Sequence, residues 1–277
     1  MSAARRLLLI GIDGLRIADA IGTAPPVAPA LSALASAGAI APMTMEVPTI
    51  SGPGWSSLLR GVPHAEHGVV DNRFLGHTLD RGTDLLTRVA ADAPERTTFA
   101  AANWPPLVDP AGPGPILAPQ PERQRTGAHR VVVRDGETYG YRTTDAEIAA
   151  CARWALREGD PHAAFVYLGE VDEAGHLYGG SAAEYTAAVA RVDAHLGSIL
   201  AEVEARVSRR GEDWLVAVTT DHGHVDEGGH GGGSDVERRS FLAVRRYGCA
   251  APLPDLAGIE PWRVASLLLA EIGLDAD

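Results

Sequence analysis

Cysteine is almost missing from this chain of 277 residues, which contains only Cys151 and Cys249. Two thiols this far apart build neither a disulfide framework nor a Cys-type zinc site, and their apolar or small neighbours mark both as ordinary buried or half-buried thiols. Long hydrophobic runs are missing too, since no stretch approaches the roughly 20 apolar residues of a membrane span. Arg5 and Arg6 ahead of Leu7–Ile12 have the look of a signal peptide. That run is short, however, and ends in Asp13-Gly14 without a small-residue cleavage site, so the expectation is a cytoplasmic protein with no membrane partner. Positive charge is also in deficit: 24 basic residues face 36 acidic ones, for a formal charge of -12. Such a surface repels polyanions and excludes wrapping of duplex nucleic acid by charge neutralisation. A small phosphate ester, a nucleotide among the candidates, stays admissible because bound divalent cations reverse the local sign. There is no internal repeat and no low-complexity tract.

What the chain does have is an apolar share of 45%, enough for a substantial core in a single catalytic domain covering 1–277. Arg6–Ile12 is a dense aliphatic run that stops at Asp-Gly, the pattern of a fully buried parallel strand, which puts Asp13 at its C-terminal end. Further buried strands are expected at Thr98–Ala102, Ala164–Leu168, Leu215–Thr219 and Phe241–Val244. Helices are expected at Ala28–Ala37, Asp84–Ala91, Asp145–Arg157, Ala182–Val207 and Pro261–Ile272. The alternation predicts an α/β fold with a mostly parallel central sheet and helices on both faces, whose ligands collect beyond the carboxyl ends of the strands. One stretch departs from this rhythm. Trp104–Gln124 is rich in proline, and His129–Tyr141 reads as a small hairpin around Asp135-Gly136. Together they make an excursion at about 104–143, either a functional wall or a solvated loop.

Potential ligands fall just after expected strands or inside glycine-rich loops. Asp13-Gly14 follows the first strand, Thr49-Ile50-Ser51-Gly52-Pro53-Gly54-Trp55 is a glycine-rich loop, and Asp221-His222-Gly223-His224 ends another strand, with Gly229-His230-Gly231 beyond it. Asp172 and His176 are four apart, so one helical turn aims both side chains at the same point. Each signal alone has a commoner explanation: a turn, an exposed helical ion pair, a structural histidine. Together they do not, because carboxylates and imidazoles converging on one crevice repel and desolvate one another unless cations sit between them. Mixed His/Asp ligation favours zinc or manganese over calcium. Gly52 and Gly54 would let a phosphate approach the backbone amides, and a helix starting near Trp55 would favour an anion at its N-terminus.

These stretches, with His67-Gly68-Val69-Val70-Asp71-Asn72 and Tyr167–Asp172, resemble the nucleotide pyrophosphatase/phosphodiesterase branch of the alkaline phosphatase superfamily from Leu7 to Val244. The resemblance implies an alkaline phosphatase-like fold and a hydrolase that cleaves a phosphodiester or nucleotide pyrophosphate through a phosphoserine on Ser51. It implies two divalent metal ions, one held by Asp13, Ser51, Asp221 and His222, the other by Asp172, His176 and His230, with Asn72 on a non-bridging phosphate oxygen. Phosphomonoester or phosphonate hydrolysis at the same site is the alternative, with Arg73 as the nearest extra cation, and a non-catalytic binding protein is the more distant rival. The chain departs from the family in carrying Ser51 where Thr is common. Pro53-Gly54-Trp55 also lacks the arginine that sulfatases need for formylglycine formation. Only Gly223–Gly229 separate His222 from His230, so the cap common in relatives is expected to be reduced. His230 is preferred to His224 as the late ligand, because a side chain two residues after His222 would need a sharp reversal to face a different ion.

Overall fold

The computed structural model describes residues 5–274; Met1–Ala4, the start of the segment weighed above as a leader, lie outside them. Seven strands form one sheet in the order β2-β7-β6-β1-β5-β3-β4. They are β1 (Arg5–Ile12), β2 (Ala39–Thr44), β3 (Thr98–Ala102), β4 (His129–Val133), β5 (Ala163–Leu168), β6 (Asp213–Thr219) and β7 (Arg239–Tyr247). β1 pairs in parallel with both β5 and β6. Its side chains alternate between two cores, Leu8, Ile10 and Ile12 on one face and Leu7 and Leu9 on the other, which is why the strand reads as an unbroken aliphatic run. The Ala183–Arg210 helix packs Tyr185, Val192, Leu196 and Val203 into the first core, and the Ser51–Arg60 and Val264–Glu271 helices pack Trp55, Leu58 and Leu268 into the second. The sheet is therefore mostly parallel with helices on both faces, as expected. No helix among the described residues is long and apolar enough to cross a membrane.

Two local expectations are corrected, one strand is longer than expected and one was not foreseen. Phe241–Val244 lies within β7, which runs antiparallel to β6 and β2. β2 escaped the sequence reading because Pro42 interrupts it; as an edge strand it tolerates a missing donor. His129–Tyr141 is no hairpin: His129–Val133 adds to β3 in parallel, and Asp135 caps the short Gly136–Tyr139 helix by accepting from the Thr138 amide. Cys249 is exposed rather than buried, while Cys151 is half-buried.

The Ser51–Arg60 helix is held in place by His67, which is almost fully buried. Its Nδ1 accepts a hydrogen bond from the Val69 amide (3.0 Å), leaving Nε2 to donate to Ser57 Oγ (3.1 Å). Burial, with His64 and Arg60 nearby, pushes the His67 pKa down to about 3. The unfolded chain, with an ordinary value of about 6.5, takes up this proton first. Stability from this group is therefore complete above about pH 6.5 and is lost as pH falls toward the folded value. In chelator-treated protein, His67→Gln should remove about one proton from the uptake that accompanies unfolding at about pH 5. Unchanged uptake, measured from the pH dependence of urea unfolding, would contradict this assignment.

Candidate metal centre and active site

The strand order sets β6, β1 and β5 side by side, so their carboxyl ends open into one crevice. Asp13 follows β1 and donates its amide to Leu168 O, the last carbonyl of β5 (3.0 Å). Asp221 and His222 follow β6, and the Glu170–Tyr178 helix that begins after β5 carries Asp172 and His176. Ser51 is the first residue of its helix rather than part of the loop before it. All the residues expected to hold the first metal meet here. His222 Nε2 lies 3.2 Å from Asp221 Oδ2, 3.3 Å from Ser51 Oγ and 3.4 Å from Asp13 Oδ1. Those expected to hold the second meet beside it, with His176 Nε2 2.9 Å from His230 Nε2 and 3.5 Å from Asp172 Oδ2.

Each carboxylate is held from one side and left bare on the other. Asp13 Oδ2 accepts from Tyr167 Oη (2.6 Å) and Trp55 Nε1 (2.8 Å), while its Oδ1 and Asp221 Oδ2 are buried without a hydrogen-bond partner. Burial, then repulsion from Asp172, pushes Asp13 up to about 8, and burial with both neighbouring aspartates raises Asp221 well above the carboxylate range. Burial drives His222 and His230 toward the neutral form. Neutral imidazoles beside bare carboxylate oxygens are the donor set a divalent cation requires, and a cation would take the place of the protons the site otherwise demands. The residues present therefore fit the group.

Hydrogen bonding at Nδ1 separates the histidines. His230 Nδ1–H donates to Thr49 O (2.6 Å) and His222 Nδ1–H to Gly223 O (3.1 Å), which leaves each Nε2 as a bare donor atom facing the cluster. His224 stands in the same cluster, although the sequence reading asked for a sharp chain reversal to bring it there. Its Nε2 lies 2.7 Å from Asp172 Oδ1, and its buried Nδ1 has no partner. Nε2–H of His224 thus donates to Asp172. Burial raises the Asp172 pKa, but this bond and the surrounding imidazoles outweigh it and hold the carboxyl below the usual range. What sequence reasoning lacked was the slot. A Cβ on Gly14 would lie 2.7 Å from His224 Nε2 and one on Gly175 2.6 Å from its Cε1, so two glycines distant in sequence make room for the ring.

Asn72 reaches the site differently from the expectation of free amides. Its Oδ1 accepts from Gly52 N–H (2.7 Å), which orients the amide group beside Ser51 and occupies one of the amides assigned to phosphate. The Gly54 amide is also committed, to Ile50 O, and the absence of a side chain at Gly54 instead admits Asp221, whose Cβ would be 3.0 Å from an added methyl. Arg73 turns away: its side chain is 77% exposed and pairs with Asp71. The cavity over Ser51, about 340 Å³, is lined by Asn72, Trp104, Glu137, Tyr141, Tyr167, Glu173 and Leu177 with Asp172, His176 and His230, and no arginine is among them. The excursion at 104–143 is thus one wall of the site.

This arrangement of a mostly parallel sheet, a helix-borne serine and a strand-end cluster of aspartates and histidines defines an alkaline phosphatase-like protein. Residues 7–232 match the model of the type I phosphodiesterase/nucleotide pyrophosphatase family. The chain belongs to that family. No curated protein matches it significantly. Among solved structures it is similar to murine ectonucleotide pyrophosphatase/phosphodiesterase 5 in complex with AMP (TM-score 0.56, 19% identity, 80% of this chain and 57% of that one). It is also similar to phosphonoacetate hydrolase from Sinorhizobium meliloti 1021 in complex with phosphonoformate (0.55, 16%, 80% and 57%). A third is the phosphonate monoester hydrolase of Agrobacterium radiobacter (0.65, 16%, 97% and 74%). The chain spans little more than half the length of the first two, and at these identities the likeness is one of fold.

The His224 slot makes a stability prediction. Gly175→Ala lies inside a helix, where alanine is worth about 1 kcal/mol over glycine, but the added methyl meets a buried imidazole whose overpacking costs about 1–3 kcal/mol. Net destabilisation is expected in urea unfolding of chelator-treated protein; a more stable variant would show that the ring moves freely.

Proposed function

We propose that the chain hydrolyses a phosphodiester or nucleotide pyrophosphate through the hydroxyl of Ser51, using two divalent cations, zinc or manganese by donor type. The observation that carries this reading is the convergence of Ser51 Oγ, Asp13, Asp221 and His222 around carboxylate oxygens that are buried and unpaired. One cation would be held by Asp13, Ser51, Asp221 and His222, and the other by Asp172, His176 and His230, with His224 holding Asp172 in position. When bound, such cations lower the pKa of a coordinated hydroxyl and stabilise charge on the transferring phosphoryl group.

The protein's own groups supply the rest. Ser51 is presented at a helix start, where its hydroxyl faces the cavity, and Asn72, fixed through Gly52, offers its Nδ2–H to a non-bridging oxygen. Tyr167 and Trp55 keep Asp13 from turning. Attack of Ser51 Oγ on phosphorus would break the bond to the leaving group, an alcohol from a diester or a phosphate from a pyrophosphate, and leave the remaining phosphoryl ester on Ser51, from which water would release it as a monoester. The absence of any arginine from the cavity favours a monoanionic diester over a dianionic monoester, for which Arg73 is badly placed. The cytoplasmic location and the single catalytic domain are retained as readings of the sequence.

Metal content tests the ligand sets. Chelation should abolish activity and lower Tm, with zinc or manganese restoring both. His230→Ala should lose about one metal per chain and nearly all activity, whereas His224→Ala should keep both and bind them more weakly, as loss of a ligand-orienting partner does by about 10–100-fold. Elemental analysis showing the reverse pattern would exchange the two roles.

Ser51→Ala should retain fold and metal but show no single-turnover release from a nitrophenyl diester. In the wild type, kcat/KM for diesters should exceed that for monoesters. A monoester preference above about tenfold, some 1.4 kcal/mol of transition-state discrimination, would transfer the assignment to a monoesterase.

A further inference from the structure

A second, larger cavity opens at the far end of the helix that begins at Ser51. It measures about 880 Å³, and its lining includes Arg60, Arg81, Arg88 and Arg263 with Glu66 and Glu260. Ser51 and Arg60 stand at opposite ends of that helix, about 14 Å apart along its axis. No residue lines both cavities. Gathering guanidinium groups in one recess runs against the composition, since the chain contains no lysine and has a formal charge of -12. Arg5, Arg6, Arg16, Arg206 and Arg246 each pair with a carboxylate, yet none of the four arginines here forms an ion pair among the described residues.

The four differ in what holds them. Arg60 is almost fully buried and donates Nη1–H to Ile116 O (2.9 Å) and Nη2–H to the carbonyls of Leu79 and Gly82. Neutral oxygens thus satisfy its N–H groups without cancelling its charge. Of the two aspartates near it, Asp84 is committed to the amides of Leu86, Thr87 and Ala118, and Asp80 forms no ion pair with it. Arg88 Nη2 is buried with no hydrogen-bond partner at all, and its Nη1 would lie 3.7 Å from a Cβ on Gly61, the residue that ends the serine helix. Arg81 and Arg263 line the same space from exposed positions. The helix end contributes about half a negative charge, which with Glu66 and Glu260 falls short of four guanidinium groups. A buried donor left without a partner is costly, and guanidinium forks match the oxygens of a phosphate.

We propose that Arg81, Arg88 and Arg263, set around the fixed charge of Arg60, bind a small phosphorylated anion carrying at least two negative charges. The site is separate from the cavity over Ser51 and does not depend on what that cavity hydrolyses. Such an anion would give Arg88 Nη2 its missing acceptor and offset charge that the protein leaves unpaired. A free small molecule is favoured over an anionic membrane, because the arginines line a recess and the chain as a whole is repelled by anionic lipid.

Equilibrium dialysis of the metal-loaded protein against radiolabelled inorganic phosphate tests it. Wild type should bind phosphate in this recess with a Kd of about 0.1–1 mM, and Arg88→Gln should abolish that binding. The combined Arg81→Gln and Arg263→Gln substitutions, at exposed positions that leave the fold intact, should weaken it by about tenfold or more. Phosphate held at Ser51 would be untouched by these changes. Arg125→Gln with Arg209→Gln removes the same charge from exposed positions elsewhere and should alter binding by about twofold or less. Should Arg88→Gln fail to fold, the exposed pair decides. Phosphate binding that the cavity substitutions leave unchanged, or that the control pair weakens equally, overturns the site. Arginine-dependent co-sedimentation with vesicles of phosphatidylcholine and phosphatidic acid, without binding of free phosphate, overturns it as well.

Discussion

The mutual repulsion of three carboxylates, Asp13, Asp172 and Asp221, packed where β6, β1 and β5 end, is the constraint around which the rest of this protein is arranged. Buried like charges cannot all ionise without compensation. Burial first, and repulsion between the carboxylates after it, drives Asp13 and Asp221 toward their protonated forms, while burial drives His222 toward neutrality. The fold gives each carboxylate a different restraint. Asp13 is gripped by Trp55 and Tyr167, Asp172 accepts from His224, and Asp221 lies against the backbone of Gly54. One set of oxygens is therefore spent on orientation and another is left bare, an asymmetry that stabilising hydrogen bonds alone would not produce.

Rings wedged against glycines recur around that centre, and they carry its geometry outward. Gly11 in β1 has no side chain because the Trp55 indole occupies the space, with an added Cβ 2.4 Å from the ring. That contact brings the helix that begins at Ser51 down onto the strand that ends before Asp13. The same device places His224 between Gly14 and Gly175 and Tyr141 between Gly136 and Gly169. Close-packed interiors transmit such positions with little slack, so the strand, the serine helix and the excursion wall are held in one frame.

Residues whose meaning depends on near neighbours were legible in the sequence. The aliphatic run before Asp13, the Asp172–His176 spacing and the strand before Asp221-His222 all rest on local periodicity, and the central sheet followed from them. What escaped depends on partners far away in the chain. β2, interrupted by Pro42, and β4, beside a proline-rich stretch, are edge strands whose pairing no local pattern announces. His224 was passed over in favour of His230 because the slot that receives it is made by Gly14 and Gly175, some two hundred and some fifty residues away. Gly52 and Gly54 looked like a phosphate cradle, yet one amide holds Asn72 and the other closes a helical turn.

The short passage from His222 to His230 bears on where specificity comes from. Gly228, Gly229 and Gly231 adopt positive φ of 102°, 88° and 115°, which lets the chain double back within a few residues, and the passage contains no helix or strand. From that side only His230 lines the cavity over Ser51. The walls that remain are the excursion, which contributes Trp104, Glu137 and Tyr141, and the helix that contributes Glu173 and Leu177. On the proposed reading, phosphate contacts at the cluster would be common to any ester, so discrimination would fall to these side chains. The charged groups these walls contribute, Glu137 and Glu173, are both acidic, and on the proposed reading that sign would disfavour additional anionic groups on a substrate.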